Sequence, residues 1–276
     1  MAELRLHEPT SSSIRDPWPS ARTASATAIA SARAAVATLV TVALAAQYGQ
    51  SVTFWHHVGV TSIPGKSLDF ALFFTEDSNA AAVVVLVVGV VRLALATPPT
   101  TAWTTTRLAV TVCVVMTAVA DNVLLRGMPH PDGSVLPWAD DVVHIVGPAL
   151  VLLDWFVAPD KVRLPVRLRT VGVVAAAPVV WLVVTLARGP FTGDQASDAV
   201  HYYPYGFLDP DTSRYGYGSV AGYVLALLVF LTVTTLALSW STWLPWPRSR
   251  PSTGRIPYRG TGTTTPTVAA DPSDGP

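Results

Sequence analysis

Thr75, Ser78 and Asn79 lie in the segment LFFTEDSNA, which leads into the apolar run AAAVVVLVVGVV. Residues three and four apart share one face of an α-helix, so these three side chains are expected to point the same way. A threonine hydroxyl becomes a nucleophile when a neighbouring base removes its proton. The alternative is a plain helix start, in which Asp77 or Ser78 is the N-cap and the acids favour the helix dipole. We predict that the first three residues line a site and that Asp77 is the solvated cap.

His144 could be the matching base, in the segment WADDVVHIVGPALVLLDWF. Asp141 lies three residues earlier, so it can share a helix face with His144, hold the ring in one tautomer and strengthen it as a base. Pro148 lies four residues later and cannot donate to the His144 carbonyl, so the helix is predicted to bend here and to leave a free acceptor. The alternative is a histidine satisfied by packing beside an ordinary proline kink.

Further polar residues could complete the same pocket. Asp121 and Asn122, in TAVADNVLL, offer a carboxylate and an amide donor, unless they only join two helices. Tyr205 lies in HYYPYGFLDPD, within a loop of roughly 28 residues, a length that is uncommon without a function. We expect this loop to fold back over the site. Asn79, Asn122 and Tyr205 are the candidate donors to an oxyanion. Asp154 is predicted to pair with a neighbouring helix.

Long apolar segments must position these residues. Half of the 276 residues are hydrophobic and 13% are charged, about half the charged fraction of a soluble domain. A membrane-spanning helix needs roughly 20 mostly apolar residues. The pattern predicts an all-α, polytopic membrane protein with a six-helix bundle at 26–245, between disordered cytoplasmic tails at 1–25 and 246–276. The predicted spans are 26–48, 71–97, 107–125, 139–158, 168–187 and 217–243.

The distribution of lysine and arginine predicts the orientation of these spans. With the N-terminus inside, 14 of the 18 cationic residues lie on the cytoplasmic side. The other four are Lys66, Arg126, Arg188 and Arg214. Positive residues concentrate on the cytoplasmic side of membrane proteins, so we expect a cell-membrane protein with both termini cytoplasmic. Thr75, Asp121, Asp141, His144 and the long loop would then all lie near the outer surface.

The sequence gives no sign of nucleic-acid, metal, retinal or haem binding. The net charge is zero, so no nucleic-acid partner is expected. Cys113 is the one cysteine, and His56 and His57 have no tight ligand spacing, so no metal is expected. Lys66 and Lys161 both lie in predicted loops, which argues against retinal, and His144 has no partner histidine in another span, which argues against haem. We therefore expect no cofactor.

Three motifs occur in a familiar order: FFTEDSN, HIVGPALVLLDWF and HYYPYGFLDP. Together they resemble the bacterial six-span relatives of the androgen-induced and androgen-dependent membrane proteins, over about residues 28–245. The animal members are intramembrane threonine hydrolases that split fatty acid esters of hydroxy fatty acids. By motif position, the resemblance implies a threonine nucleophile at Thr75 and a histidine base at His144. Gly206 stands where the bacterial relatives usually have proline, and Glu76-Asp77 is more acidic than the family pattern, so the substrate stays open.

Two functions follow from these residues. The first is an intramembrane lipid-ester hydrolase with a membrane lipid or a lipophilic ester as its substrate. The second is a non-catalytic binder or transporter of a small lipophilic molecule, built on the same polar pocket. The chain has no internal repeat or pair of broken helices of the kind found in transporters.

Overall fold

The computed structural model describes residues 19–197 and 199–244, with side chains from residue 25 onward. This part of the chain is helical, and its eight α-helices are α1 Pro19–His57, α2 Ile63–Ala71, α3 Phe74–Ala94, α4 Thr101–Ala120, α5 Pro137–Asp141, α6 Gly147–Val157, α7 Leu168–Arg188 and α8 Tyr217–Ser241. No strand is found there beyond an isolated bridge between Asp194 and Ala199. The fold is therefore all-α as predicted. The predicted tails, up to residue 18 and from residue 245, lie outside the described residues.

Five helical segments of the described residues are long and apolar enough to cross a membrane: Ser25–His57, Phe74–Ala94, Thr101–Leu125, Leu168–Phe191 and Tyr217–Ser241. These helices are compatible with a membrane protein. The fourth predicted span, 139–158, corresponds to α5, the turn Val142–Val146 and α6 in succession rather than to one regular α-helix, so six spans stay a prediction.

Helix α1 is longer than the predicted span 26–48. It begins at Pro19, inside the predicted tail, and reaches His57, close to Gly59 with its positive φ of 80°. Hydropathy marks only the apolar middle of a helix, and no proline interrupts the chain from residue 20 to residue 57. Helix α2 was not predicted. It starts where the Ser62 hydroxyl accepts from the Gly65 amide, with a proline in its first turn.

Helix α3 begins at Phe74, so the prediction of Asp77 as the cap is wrong. Phe73 is the N-cap, with an extended backbone and no side-chain capping bond. Asp77 lies one turn inside the helix, where its amide donates to the Phe73 carbonyl at 3.1 Å. Its side chain is exposed and therefore solvated, as predicted. The N-cap, however, lies four residues earlier, and this start of the helix places Thr75 in the first turn.

The predicted bend at His144 takes the form of a π-helical turn. Residues Val142–Val146 form this turn between α5 and α6, and the Gly147 amide donates to the Val142 carbonyl. Pro148 has no amide hydrogen for the His144 carbonyl, so the regular ladder cannot pass this point. A second π turn, Asp121–Leu125, continues α4. Both turns widen the helix where polar residues were predicted.

Helix α4 is central and contacts α3, α6, α7 and α8. The largest apolar core joins α4 to α6, α7 and α8 around Leu108, Trp155 and Leu231. A smaller core joins α1, α3, α4 and α6, and a third packs α1 against α5 and the Val142–Val146 turn. The helix ends that carry Thr75 and His144 therefore meet at one end of the bundle.

A buried ion cluster closes the opposite end. Arg33 from α1 donates to Asp154 at 2.8 Å and to Asp160 at 2.7 Å. Arg107 from α4 donates to the same two carboxylates at 2.7 and 2.8 Å, and the Trp103 indole donates to Asp160 at 3.0 Å. The predicted pairing of Asp154 with neighbouring helices is confirmed. Two cations and two anions balance, so the cluster joins three segments without net charge.

Candidate functional site

Thr75 and His144 are in direct contact. The Thr75 Oγ1 atom lies 3.2 Å from His144 Nε2. Thr75 is 6% exposed, in the first turn of α3, and the π turn Val142–Val146 brings His144 to it from the neighbouring segment. A hydroxyl at this distance can donate its proton directly to the imidazole.

Asp140 orients the histidine. Its carboxylate lies 2.8 Å from His144 Nδ1, and its backbone carbonyl lies 3.1 Å from the same nitrogen. Both groups accept, so Nδ1 carries the hydrogen and Nε2 is left with a lone pair facing Thr75. The prediction that Asp141 plays this role is wrong, because Asp141 is 56% exposed and lies 3.5 Å from Arg126. Spacings of three and four both fit one helix face, so the sequence could not choose between the adjacent acids.

Tyr205 reaches the same hydroxyl from the long loop. Its phenol oxygen accepts from the Thr75 amide at 3.1 Å and lies 3.3 Å from Thr75 Oγ1. Burial raises the pKa of the Tyr205 phenol above its ordinary value, so it stays neutral and keeps a hydrogen to donate. The ring stacks on Phe207, with centroids 5.3 Å apart, makes an edge contact with Phe73 and packs at a tilt against Trp181. The loop thus folds back over the site, as predicted.

Ser78 and Asn79 lie behind Thr75. The Ser78 hydroxyl donates to the Thr75 carbonyl at 3.2 Å and lies 2.9 Å from Thr117 Oγ1. The Asn79 amide donates to the Thr75 carbonyl at 2.9 Å and to the Val143 carbonyl at 3.2 Å. Both amide hydrogens of Asn79 are engaged, so Asn79 is not free to stabilise an oxyanion. The expectation that these two line the pocket is therefore corrected: they position α3 against the histidine segment.

Asn122 donates to the His144 carbonyl, the acceptor that Pro148 leaves free. Its amide donates to the His144 carbonyl at 3.3 Å and to the Ala118 carbonyl at 2.8 Å. The amide therefore holds the histidine backbone and is not turned toward Thr75. Asp121, its neighbour, has Oδ1 3.9 Å from His144 Nε2 and is 13% exposed. Asp121 is therefore the residue of this pair whose side chain approaches the His144 ring.

Asp121, Asp140 and His144 also have the composition of a metal site, with one ligand atom of each within 4.8 Å of the others. Both histidine nitrogens, however, already have partners, with Asp140 at Nδ1 and Thr75 at Nε2. A metal on either nitrogen would displace one of these contacts. The arrangement therefore fits an acid–histidine–hydroxyl relay better than a ligand set.

An apolar cavity opens beside Thr75. The empty space is about 680 Å³ when the open mouth is included. Thr75, Asp121 and Tyr205 lie at one end, while Met116, Pro178 and Leu231 are among the apolar residues that line the rest. Val179 and Leu228, also in the lining, are 40% and 36% exposed on the surface of the bundle. The hydroxyl therefore lies at the wall of an apolar pocket with an open side.

Ion pairs that the sequence did not reveal anchor the loop. Lys66 Nζ lies 2.7 Å from Asp194 and 3.3 Å from Asp69, and Arg188 contacts Asp69 at 2.5 Å. Burial opposes ionisation of Asp194, but hydrogen bonds from Lys66 and Ser197 hold the pKa of its carboxyl below the ordinary value. This anchoring is therefore present at neutral pH and is lost as the pH falls through that lowered pKa. Lys66 and Asp194, and likewise Asp69 and Arg188, lie more than a hundred residues apart, so only their folded proximity identifies these pairs.

Glu76 is a further residue that the sequence analysis did not place in the site. It lies in the first turn of α3, next to Thr75. Its Oε2 atom is buried and has no hydrogen-bond partner among the described residues. The only sequence signal was the unusually acidic Glu76-Asp77 pair.

Comparisons with family models, curated proteins and solved structures find no match to this chain.

Proposed function

We propose that this protein is an intramembrane lipid-ester hydrolase with Thr75 as nucleophile and His144 as general base. The observation that carries the proposal is the 3.2 Å contact between Thr75 Oγ1 and His144 Nε2 at the wall of an apolar cavity. A hydroxyl, an imidazole and a carboxylate in hydrogen-bond sequence form the arrangement that activates a hydroxyl for acyl transfer. The motif resemblance implies the same two residues.

The reaction has two halves. Thr75 Oγ1 attacks the ester carbonyl carbon while its proton passes to His144 Nε2, and the carbonyl π electrons move onto oxygen. When the tetrahedral intermediate collapses, the carbon–oxygen bond of the leaving alcohol breaks and His144 returns the proton to that oxygen. Water then attacks the acyl-threonine with His144 again as base, which releases the acid and restores the hydroxyl. Each step balances without an external reactant other than water.

The surrounding residues have separate roles. Asp140 stabilises the imidazolium that forms at His144, because its carboxylate lies 2.8 Å from Nδ1. Tyr205 is the donor to the oxyanion, since its phenol lies 3.3 Å from the attacking oxygen and keeps its hydrogen. Ser78 and Asn79 hold the Thr75 carbonyl and thereby the first turn of α3.

The cavity holds the acyl chain. Its α8 lining runs from Val224 to Leu231, about 10 Å at 1.5 Å per residue. Carbon–carbon bonds of about 1.5 Å advance roughly 1.3 Å each in an extended chain, so this length takes about eight carbon atoms. The exposed rim residues Val179 and Leu228 give longer chains a way out toward the bilayer. Substrate would enter sideways from the lipid.

The same proposal includes six spans and the orientation expected from charge. Residues Pro137–Val157 form a continuous helical run through α5, the π turn and α6, and at 21 residues and 1.5 Å each the run is about 31 Å long, the thickness of a bilayer core. Counting it as the sixth span puts both termini on the cytoplasmic side, in keeping with the excess of cationic residues there. The reacting groups then lie near the outer leaflet.

A serine-hydrolase-type fluorophosphonate probe tests the nucleophile. The purified protein should be labelled, and Thr75→Ala and His144→Ala should each remove the labelling. Thr53→Ala and His57→Ala, at exposed positions of α1, are the matched controls and should be labelled like the native protein. Thr75→Ser should keep labelling, because it retains the hydroxyl. Labelling that persists in a folded Thr75→Ala protein would refute the proposal.

The second candidate is a non-catalytic binder of a lipophilic molecule, which the apolar lining and open side of the cavity would equally suit. It predicts saturable binding of a fluorescent fatty acyl probe that survives Thr75→Ala, together with no turnover of any ester. Turnover that depends on Thr75 would exclude it.

A further inference from the structure

Two carboxylates flank the His144 ring. Asp121 lies 3.9 Å from His144 Nε2, and Asp140 lies 2.8 Å from Nδ1. Arg126 is the one lysine or arginine paired with these acids in the described part of the chain. It is 40% exposed, with contacts of 3.5 Å to Asp121 and Asp141. Negative charge therefore dominates around this ring.

The position of the leaving alcohol follows from the general acid. His144 Nε2 must reach the leaving oxygen to return the proton to it. The acyl chain extends away along the apolar lining of α4, α7 and α8. The alcohol then has to lie on the His144 side, next to Asp121, which is 13% exposed and so only weakly screened by water.

We infer that the site selects its esters by charge: it accepts neutral or cationic alcohol groups and rejects alcohols that carry an anion close to the ester bond. This inference rests on the proposed function. A like charge placed beside a partly desolvated carboxylate is strongly unfavourable, and such repulsion is a common source of specificity. Among the esters that the resemblance implies, it disfavours those whose hydroxy fatty acid carries its carboxylate close to the ester bond.

The same charges favour release of the product. Hydrolysis turns a neutral ester carbonyl into a carboxylate that forms beside Thr75 and His144. Asp121 repels this new anion, whereas it does not repel the ester. The acid therefore leaves toward the lipid side, and free fatty acid inhibits the protein poorly.

Three esters with one medium-length acyl chain test the selection: an acylcholine as cation, a monoacylglycerol as neutral compound and an acyl ester of glycolic acid as anion. They are presented in uncharged detergent micelles, so that the surface does not concentrate one of them. The native protein should hydrolyse the anionic ester with a kcat/KM at least about tenfold below that of the neutral ester, the ratio for one like-charge contact of ordinary strength. Added salt should leave most of this ratio intact, because a partly buried charge is poorly screened.

Two variants identify the responsible charge. Asp121→Asn should bring the neutral-to-anionic ratio at least about threefold closer to one, whatever its effect on the absolute rates. Arg126→Gln, at a partly exposed position, should widen the ratio and keeps the test valid if Asp121→Asn does not fold. Equal hydrolysis of anionic and neutral esters by the native protein, or ratios that neither folded variant alters, would overturn the inference and leave the proposed hydrolase standing. If no ester is hydrolysed and no probe reacts, the proposed function itself has failed.

Discussion

Replacing Asp140 by asparagine tests the catalytic geometry most directly. The Asp140 carboxylate lies 2.8 Å from His144 Nδ1 and is 35% exposed. The backbone carbonyl of the same residue lies 3.1 Å from Nδ1 and remains in the variant. The ring therefore keeps its tautomer, and the variant loses only the negative charge that would stabilise the imidazolium in the proposed transition state.

Coulomb's law gives the size of this loss. Two unit charges about 4 Å apart interact by about 4 kcal/mol at an effective dielectric constant of about 20, and by about 1 kcal/mol in water. A carboxylate that is one third exposed lies between these limits, at about 2–3 kcal/mol. At 1.36 kcal/mol for each factor of ten, kcat should fall about 30- to 160-fold.

Asp141→Asn is the matched control, since it makes the same chemical change one residue later. Its carboxylate is 56% exposed and 3.5 Å from Arg126, so the rate should change less than about threefold. The assay is kcat for hydrolysis of a neutral acyl ester by purified protein, with the rate of fluorophosphonate labelling as a second measure and the melting temperature as a check on folding. Equal losses in the two variants, or a loss below threefold in Asp140→Asn, would refute the reasoning.

Three further changes have equally specific outcomes. Asp160→Asn should lower the free energy of unfolding by about 3–5 kcal/mol, because Arg33 and Arg107 then share the single carboxylate of Asp154 and one buried positive charge is uncompensated. The exposed Asp132→Asn should change it by less than about 0.5 kcal/mol in the same thermal melt, and equal melts would contradict the role given to the cluster. Gly89→Ala places a Cβ 2.6 Å from the Arg33 guanidinium, so it should cost about 1–3 kcal/mol of stability by overpacking, and an unchanged melting temperature would show that Arg33 can move aside. Tyr205→Phe should lower kcat about 100-fold with little change in KM, since it removes the oxyanion donor; a loss confined to KM would assign the tyrosine to substrate binding instead.

Features governed by local spacing were predictable. Thr75, Ser78 and Asn79 share a buried face of α3, because helical periodicity places such residues together whatever surrounds the helix. Pro148 disturbs the helix at His144 because a missing amide donor acts within one turn. The pairing of Asp154 was foreseeable too, since a carboxylate in a long apolar run needs a cationic partner.

Features governed by neighbours distant in sequence were not predictable. Ser78 and Asn79 lie behind Thr75 and not in the cavity because they bond to other segments. Ser78 contacts Thr117 of α4, and Asn79 donates to the Val143 carbonyl of the histidine segment. The loop anchor depends on Lys66, in α2, meeting an aspartate more than a hundred residues later. Helix spacing carries no information about such contacts, because they arise only when separate segments pack.

By itself, the sequence determined an all-helical chain with helices long and apolar enough for a bilayer, and a hydroxyl and an imidazole as the residues able to react. These follow from hydropathy and from the periodicity of a single helix. Only the tertiary structure decided that Asp140, not Asp141, holds His144, that Tyr205 covers Thr75 and that an apolar cavity opens beside it. The physical reason is that a π turn, a returning loop and the gap between three helices are set by packing, which no single segment contains.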